Sequence, residues 1–329
     1  MQRLWLAITP LLFLLLWSAG YIVAKMALVD AAPMALLALR FAAVIAIMAA
    51  LFVVLHPPLP KTLSGYLHLG FLKFFMQTVY FGMAYFSFVN GVAAGIAALT
   101  FSLQPILVAL LVPRWTGEVV SWLQWLGHAI AMVGTLTVLI ARLEIGPLPR
   151  TGFGFTTLAL GEITLATLWE KRFGLSHHPV SALLIGYSAG LLGLLPFLHW
   201  AEIAAINWTP SFYWALAYLV IGNSVVAVSL LLAMIRAEQV SRVSNLLFLV
   251  PPLAAFIAWL NLDEPMPLLA WVGLLVSGGG VCLATLPRKG SAQSLFNLTC
   301  QPMRPSRNRA RPKADQHITR SALLGKKRA

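Results

Sequence analysis

Apolar residues run along this chain in long blocks separated by brief polar interruptions. A helix crossing a hydrocarbon layer about 30 Å thick needs about 20 such residues in a row. Ten blocks meet that length, beginning near residues 4, 33, 64, 91, 121, 151, 179, 211, 240 and 267 and ending near 28, 55, 88, 113, 141, 172, 199, 234, 262 and 286. The connections between them are short, which leaves no room for an extramembrane domain before residue 287. The pattern therefore predicts an all-α membrane protein with ten transmembrane helices. The first block resembles a signal peptide in following Arg3 and reaching the small residues Ser18, Ala19 and Gly20. Its apolar run extends to Leu28, longer than an h-region of about 7–15 residues, and nine more blocks come after it, so it is read as a retained first helix.

Composition strengthens this picture. Hydrophobic residues make up 60% of the chain, charged residues 10%, and the mean hydropathy is +0.84; soluble domains carry roughly 45–50% and about 25%. The two cysteines, Cys282 and Cys300, offer neither a disulfide framework nor a CxxC pair. His177 and His178 precede Pro179 without a third ligand, which makes a poor metal site. No metal and no cofactor is expected.

The net charge of +13 is concentrated at one end. Residues 1–286 carry 12 basic and 9 acidic side chains, whereas residues 287–329 carry 11 and 1. That last segment has several prolines, almost no aromatic content and no apolar period, and reads as a disordered basic cytoplasmic tail beside anionic lipid rather than a nucleic-acid-binding arm. Placing the N-terminus inside puts Arg3, Lys61, Arg114, Lys171, Arg172, Arg236 and Arg242 at cytoplasmic ends and leaves only Arg142 and Arg150 outside. This obeys the positive-inside rule and, with ten spans, places both termini in the cytoplasm.

An internal repeat organises the spans. Shifting the chain by 146 residues aligns Lys25 with Lys171, Pro33 with Pro179, Pro105 with Pro251, Glu118 with Glu264, Gly127 with Gly273 and Gly134 with Gly280, without a gap. Matches of polar residues, proline and glycine at one offset do not arise from a background of Leu and Ala. The expected organisation is a first five-helix repeat at 1–146, a second at 147–286 and the tail at 287–329. Because five is odd, the second repeat crosses in the opposite sense. Two inverted repeats enclose a midplane site that rocking opens to each face in turn, which points to a carrier.

The same residues resemble a known family. "LLWSAGYIVAKMAL" at 15–28 and "AAPMALLALRFAAV" at 31–44 are similar to the first- and second-helix patterns of EamA-type members of the drug/metabolite transporter superfamily. "QPILVALLVPRWTGE" at 104–118 with Gly127 and Gly134 resembles that family's Pro, Gly-Glu and two-glycine pattern, and "VPPLAAFIAWLNLDE" at 250–264 with Gly273 and Gly280 repeats it. The second half departs in having Asp263 where the first has Gly117, and Gly186 where the first has Arg40. The resemblance implies a multi-pass bacterial inner-membrane permease, typically exporting amino acids or related small metabolites by alternating access. Permeases for drugs, sugars or amines share the superfamily, so fold leaves the substrate open. Protons are one candidate coupling ion, and both a monomer and a homodimer remain open.

Charges inside spans are costly and mark cavities or partners. Four are found: Arg40, Lys73, Glu162 and, near a span end, Lys25. Glu162 lies mid-span, about 15 Å from either end at 1.5 Å per residue. A desolvated carboxylate there suits a proton-coupled step or a substrate amine; the structural alternative is pairing with Lys73 or Arg40. Lys73, Gln77 and Tyr80, continued by Ala84, fall at i, i+4 and i+7, a polar stripe expected to line the central cavity. Trp17 and Tyr21 are spaced to close over a substrate or to pack, Ser18 and Thr164 form a candidate pair of cavity hydroxyls, and Pro105 and Pro251 predict paired bends. Asn223 and Ser224 mid-span, and Ser241, Ser244 and Asn245, glue helices or bind ligand with equal plausibility. Gly91 and Gly95 read as close helix contacts. Glu118 and Glu264 read as turn residues accepting backbone N–H bonds at the next helix. No GxSxG, HExxH or aspartate cluster supports an enzyme; a non-transporting membrane scaffold is the remaining alternative.

Overall fold

Short polar or proline-bearing connections start most of the helices. The structure is a computed structural model describing residues 2–115, 121–143, 149–173, 178–230, 234, 250–262 and 266–284. It contains α1 (Gln2–Ala27), α2 (Pro33–Leu55), α3 (Leu63–Phe74), a first π-helical turn (Phe75–Tyr80), α4 (Phe81–Val89), α5 (Ala94–Phe101) and α6 (Gln104–Trp115). It continues through α7 (Trp122–Leu143), α8 (Arg150–Phe173), α9 (Pro179–Leu194), α10 (Trp200–Ala204), α11 (Pro210–Ala217), a second π-helical stretch (Tyr218–Ala227), α12 (Val250–Leu262) and α13 (Leu268–Ala284). No strand occurs among the described residues.

Pro33, Pro179 and Pro210 each occupy the start of a helix, where the missing N–H costs nothing and φ is already helical. Thr62 and Thr209 cap α3 and α11 by accepting from Gly65 N and Phe212 N at 3.2 and 3.1 Å. Thr209 also donates to Asp30 Oδ2 at 2.8 Å, tying the turn after α1 to the start of α11. Gly91 is a turn residue with φ of 89°, not the helix contact expected of it. Between α5 and α6 the helix breaks at Ser102 and Leu103, just before Pro105, whose absent N–H frees the Phe101 carbonyl. Glu118, Asp263, Glu264, His177, Ser241, Ser244 and Asn245, and the side chains of Lys171 and Pro251, lie outside the described residues.

Among the described residues, five helices are long and apolar enough to cross a membrane: Ile8–Ala27, Pro33–Leu55, Ala94–Leu111, Pro179–Phe197 and Pro210–Leu230; Leu253–Leu262 and Leu268–Ala284 are shorter apolar helices. The third expected span contains a π-helical turn together with His68, Lys73 and Gln77, α8 carries Glu162, Glu170, Lys171 and Arg172, and part of the ninth expected span lies outside the described residues.

Packing is reciprocal between the two halves. α2 packs on α9, whose first residue Pro179 is 146 positions beyond Pro33, and α7 packs on α13 in the most extensive helix pair. α1 packs on α12, while α8 packs on α6 and α5. At the α7 and α13 contact, a Cβ at Gly127 would overlap Ala284 N and one at Gly134 would overlap Ser277 N, leaving the latter 2.6 Å from Gly273 O. A Cβ at Gly280 would overlap Ala131 N. As α7 advances from Gly127 to Gly134, its partners on α13 retreat from Gly280 to Gly273, so the helices are antiparallel. Glycine here permits backbone-to-backbone approach, the usual way membrane helices gain contact without a hydrophobic driving force. Thr135 Oγ1 and Ser277 Oγ meet across the seam at 3.2 Å.

Candidate functional site

Arg40 sits on the buried face of α2, among Leu36, Leu37, Phe41 and Val44, and is itself only 2% exposed. A guanidinium in such surroundings requires a partner for its N–H groups. Its Nε donates to Ser224 Oγ at 2.9 Å, Nη1 to Tyr85 Oη at 2.8 Å and Nη2 to Asn223 Oδ1 at 2.8 Å. The Phe81 ring lies 4.7 Å beneath its central carbon, and the Tyr187 hydroxyl is within reach from α9. Adjacent residues Asn223 and Ser224 both serve it because the planar fork presents its donors in diverging directions. All these oxygens are neutral, so among the described residues the positive charge is solvated by polar groups and not met by a carboxylate.

Arg40 faces a small cavity of about 40 Å³ lined by Trp17, Gly20, Tyr21, Tyr80, Tyr85 and Asn223, among others. Tyr21, Tyr80 and Trp17 share the cavity wall, and the Tyr21 ring lies 6.1 Å from that of Phe101. The space admits a few waters, so a metabolite enters only if the surrounding helices part.

α1 approaches this cluster through Gly20, where a Cβ would overlap Asn223 Nδ2. Asn223 is otherwise anchored by donating to Leu16 O at 3.4 Å, an oxygen that also accepts from Tyr218 at 2.8 Å. Gly20→Ala is expected to push Asn223 off Arg40 and lower the melting temperature of the purified protein, at a cost of about 1–3 kcal/mol. That cost should shrink in an Asn223→Ala background, which a double-mutant cycle measures.

The structure gathers Arg40, Trp17, Tyr21 and Tyr80 around one cavity and separates the other candidates from it. Lys73, Gln77 and Tyr80 do not share a face, because the π-helical turn from Phe75 to Tyr80 winds more residues into each turn than an α-helix and so rotates the side chains of α4 relative to those of α3. Tyr80 and Ala84 line the cavity, whereas Lys73 packs against Gly186, and Gln77 against Gly190, on α9. Lys73 pairs with Glu170 at 3.9 Å, with side chains 23% and 46% exposed, a weak half-solvated ion pair. Glu162 pairs with neither Lys73 nor Arg40; both its oxygens are buried with no hydrogen-bond partner among the described residues. It lines a different cavity, between α8 and α3. Ser18 donates to Val250 O at 3.3 Å and Thr164 to Leu160 O at 2.6 Å, so the expected pair of cavity hydroxyls instead serves helix backbones. Lys25 is half-buried near the end of α1. Tyr85 and Tyr187 had no distinguishing spacing; their roles arise from tertiary contacts alone.

Among the described residues, the apolar helical bundle holds a buried cation, Arg40, in an aromatic-walled cavity, an arrangement that suits a multi-pass membrane protein with a solute path. Residues 4–140 and 157–286 match the EamA-like transporter family, and the chain belongs to that family. A probable amino-acid metabolite efflux pump of Escherichia coli (strain K12) is 26% identical over 285 residues, spanning 82% of this chain and 91% of that protein. A probable terminal-alkyne amino-acid exporter of Streptantibioticus cattleyicolor is 30% identical over 221 residues, 62% of this chain and 69% of its own. The uncharacterized transporter YvbV of Bacillus subtilis (strain 168) is 22% identical over 67% of this chain and 72% of its own. A solved protein crystal structure shares the fold with a TM-score of 0.61 at 19% identity, over 85% of this chain and 96% of that one.

Proposed function

We propose that this chain is a secondary transporter of a bacterial inner membrane that exports amino acids or related small carboxylates by alternating access, with Arg40 receiving the substrate carboxylate. The observation that carries this reading is the buried Arg40 guanidinium, held among the described residues by neutral oxygens beside a cavity. Buried charges are normally paired, and the guanidinium N–H groups not engaged with Ser224, Tyr85 and Asn223 can donate to a carboxylate. Trp17, Tyr21 and Tyr80 would pack against the remainder of the substrate. The names of the Escherichia coli and Streptantibioticus relatives support amino-acid export.

In this reading the chain has ten spans in two inverted five-helix repeats, 1–146 and 147–286, with both termini and the 287–329 tail in the cytoplasm. The reciprocal glycine contacts support it. Gly127 meets Gly280, the repeat mate of Gly134, while Gly134 meets Gly273, the mate of Gly127; such exchange is the mark of a two-fold relation. Pro105 and Pro251 then mark equivalent bends, Lys25 and Lys171 equivalent helix ends, and Glu118 and Glu264 equivalent turns. Rocking of the lobes would widen the narrow cavity.

The test is overexpression beside an empty vector in cells challenged with a panel of toxic amino-acid analogues. Raised resistance to at least one analogue, lost with Arg40→Leu at equal expression, is the expected result. Unchanged resistance across the panel would favour a scaffold or another substrate class.

A further inference from the structure

A groove of about 520 Å³ runs along α8 against α3 and the first π-helical turn, and it shares no lining residue with the Arg40 cavity. Phe71, Phe75, Leu158, Leu165 and Trp169 form its apolar walls, and Glu162 supplies its carboxylate. Phe71, Leu158 and Leu165 are 55%, 61% and 56% exposed, so the groove opens outward, toward the side a bilayer would occupy. The groove is open at Gly161, where an added Cβ would meet nothing within 4 Å.

The carboxylate is the unusual part. Both Glu162 oxygens are buried and neither has a hydrogen-bond partner among the described residues, although an isolated buried carboxylate is among the most costly groups to leave unpartnered. An ammonium supplies three N–H donors and the missing charge together, and apolar walls of this size suit the body of a drug-sized ligand. Glu162 lies near the middle of α8, roughly 17 Å from either end. A lipid headgroup amine anchored at the surface does not reach that depth, whereas a free amphiphile does.

We propose that this groove is a second binding site, for a primary amine with an alkyl or aryl-alkyl body, its ammonium on Glu162 and its body along Leu158, Leu165 and Trp169. The proposal rests on α8 spanning the bilayer, and not on which substrate Arg40 holds.

The experiment uses the full chain in phosphatidylcholine nanodiscs with a photoreactive diazirine-bearing decylamine, the crosslinked residues being located by mass spectrometry. Label should appear on residues of α8 and α3 that line the groove, and excess decylamine should chase it while decanol does not. Glu162→Gln and, independently, Gly161→Leu should each reduce this label by at least about tenfold, the scale of one charge-assisted hydrogen bond. Both variants are first checked for a monodisperse size-exclusion profile, so that either one alone suffices if the other misfolds. Equal chase by decanol would overturn the proposal, as would label unchanged in whichever variants fold. Chase by added phosphatidylethanolamine would overturn it in favour of a lipid site.

Discussion

Arg40→Leu should lower carboxylate transport by at least about thirtyfold, the equivalent of ~2 kcal/mol or more for truncating a buried charged partner. Three of the guanidinium's N–H groups hold Ser224, Tyr85 and Asn223 at 2.8–2.9 Å, so part of the effect would be local repacking. Arg40→Lys separates the two contributions. It keeps the charge but replaces a planar fork by a point donor, and should fold while still losing about tenfold or more in rate. Initial uptake into proteoliposomes, normalised to the monodisperse protein recovered, reads both variants. Wild-type rates in Arg40→Lys would mean that charge alone matters; wild-type rates in Arg40→Leu would remove the residue from the transport path.

The other large effect lies in the α7 and α13 seam. Gly134→Leu is expected to destabilise the protein at the upper end of the overpacking range, about 3 kcal/mol, because the added side chain would meet the Ser277 and Gly273 backbone rather than a side chain that can rotate away. Gly127→Val should behave alike against Ala284 and Gly280. Gly279 provides the contrast on the partner helix α13: nothing lies within 4 Å of its Cβ position. Gly279→Ala should be neutral or stabilising by about 0.4–1 kcal/mol. Thermal denaturation in detergent, read out by size-exclusion, ranks the three; an equal response at Gly134 and Gly279 would contradict the close approach of the two backbones.

Helix limits were largely legible in the sequence because the physics that sets them is local. Pro33, Pro179 and Pro210 start helices within a residue of where the apolar blocks begin, and α2 ends at Leu55 as the block does. The glycine pairs were legible too, through the 146-residue offset, though not the exchange of partners that places Gly127 on Gly280. The two π-helical stretches left no mark in residue spacing. The polar stripe of Lys73, Gln77 and Tyr80 assumed an unbroken α-helix and dissolved with it. Arg40 stood out as a charge within a span, but its partners lie 45 to 184 positions away in sequence, a distance no local pattern encodes. Glu162 drew attention for the same reason as Arg40. Its neighbours Phe71 and Trp169 are ordinary membrane aromatics until α3 and α8 are packed side by side.

The most direct test of the Arg40 site compares amino acids with their carboxamides in counterflow across proteoliposomes containing the purified protein. The carboxamide keeps the amine and side chain and loses only the negative charge that the guanidinium is held to receive. A saturable flux for at least one amino acid, with its carboxamide neither transported nor competing, is the predicted result. Equal transport of acid and amide would contradict a carboxylate seat at Arg40.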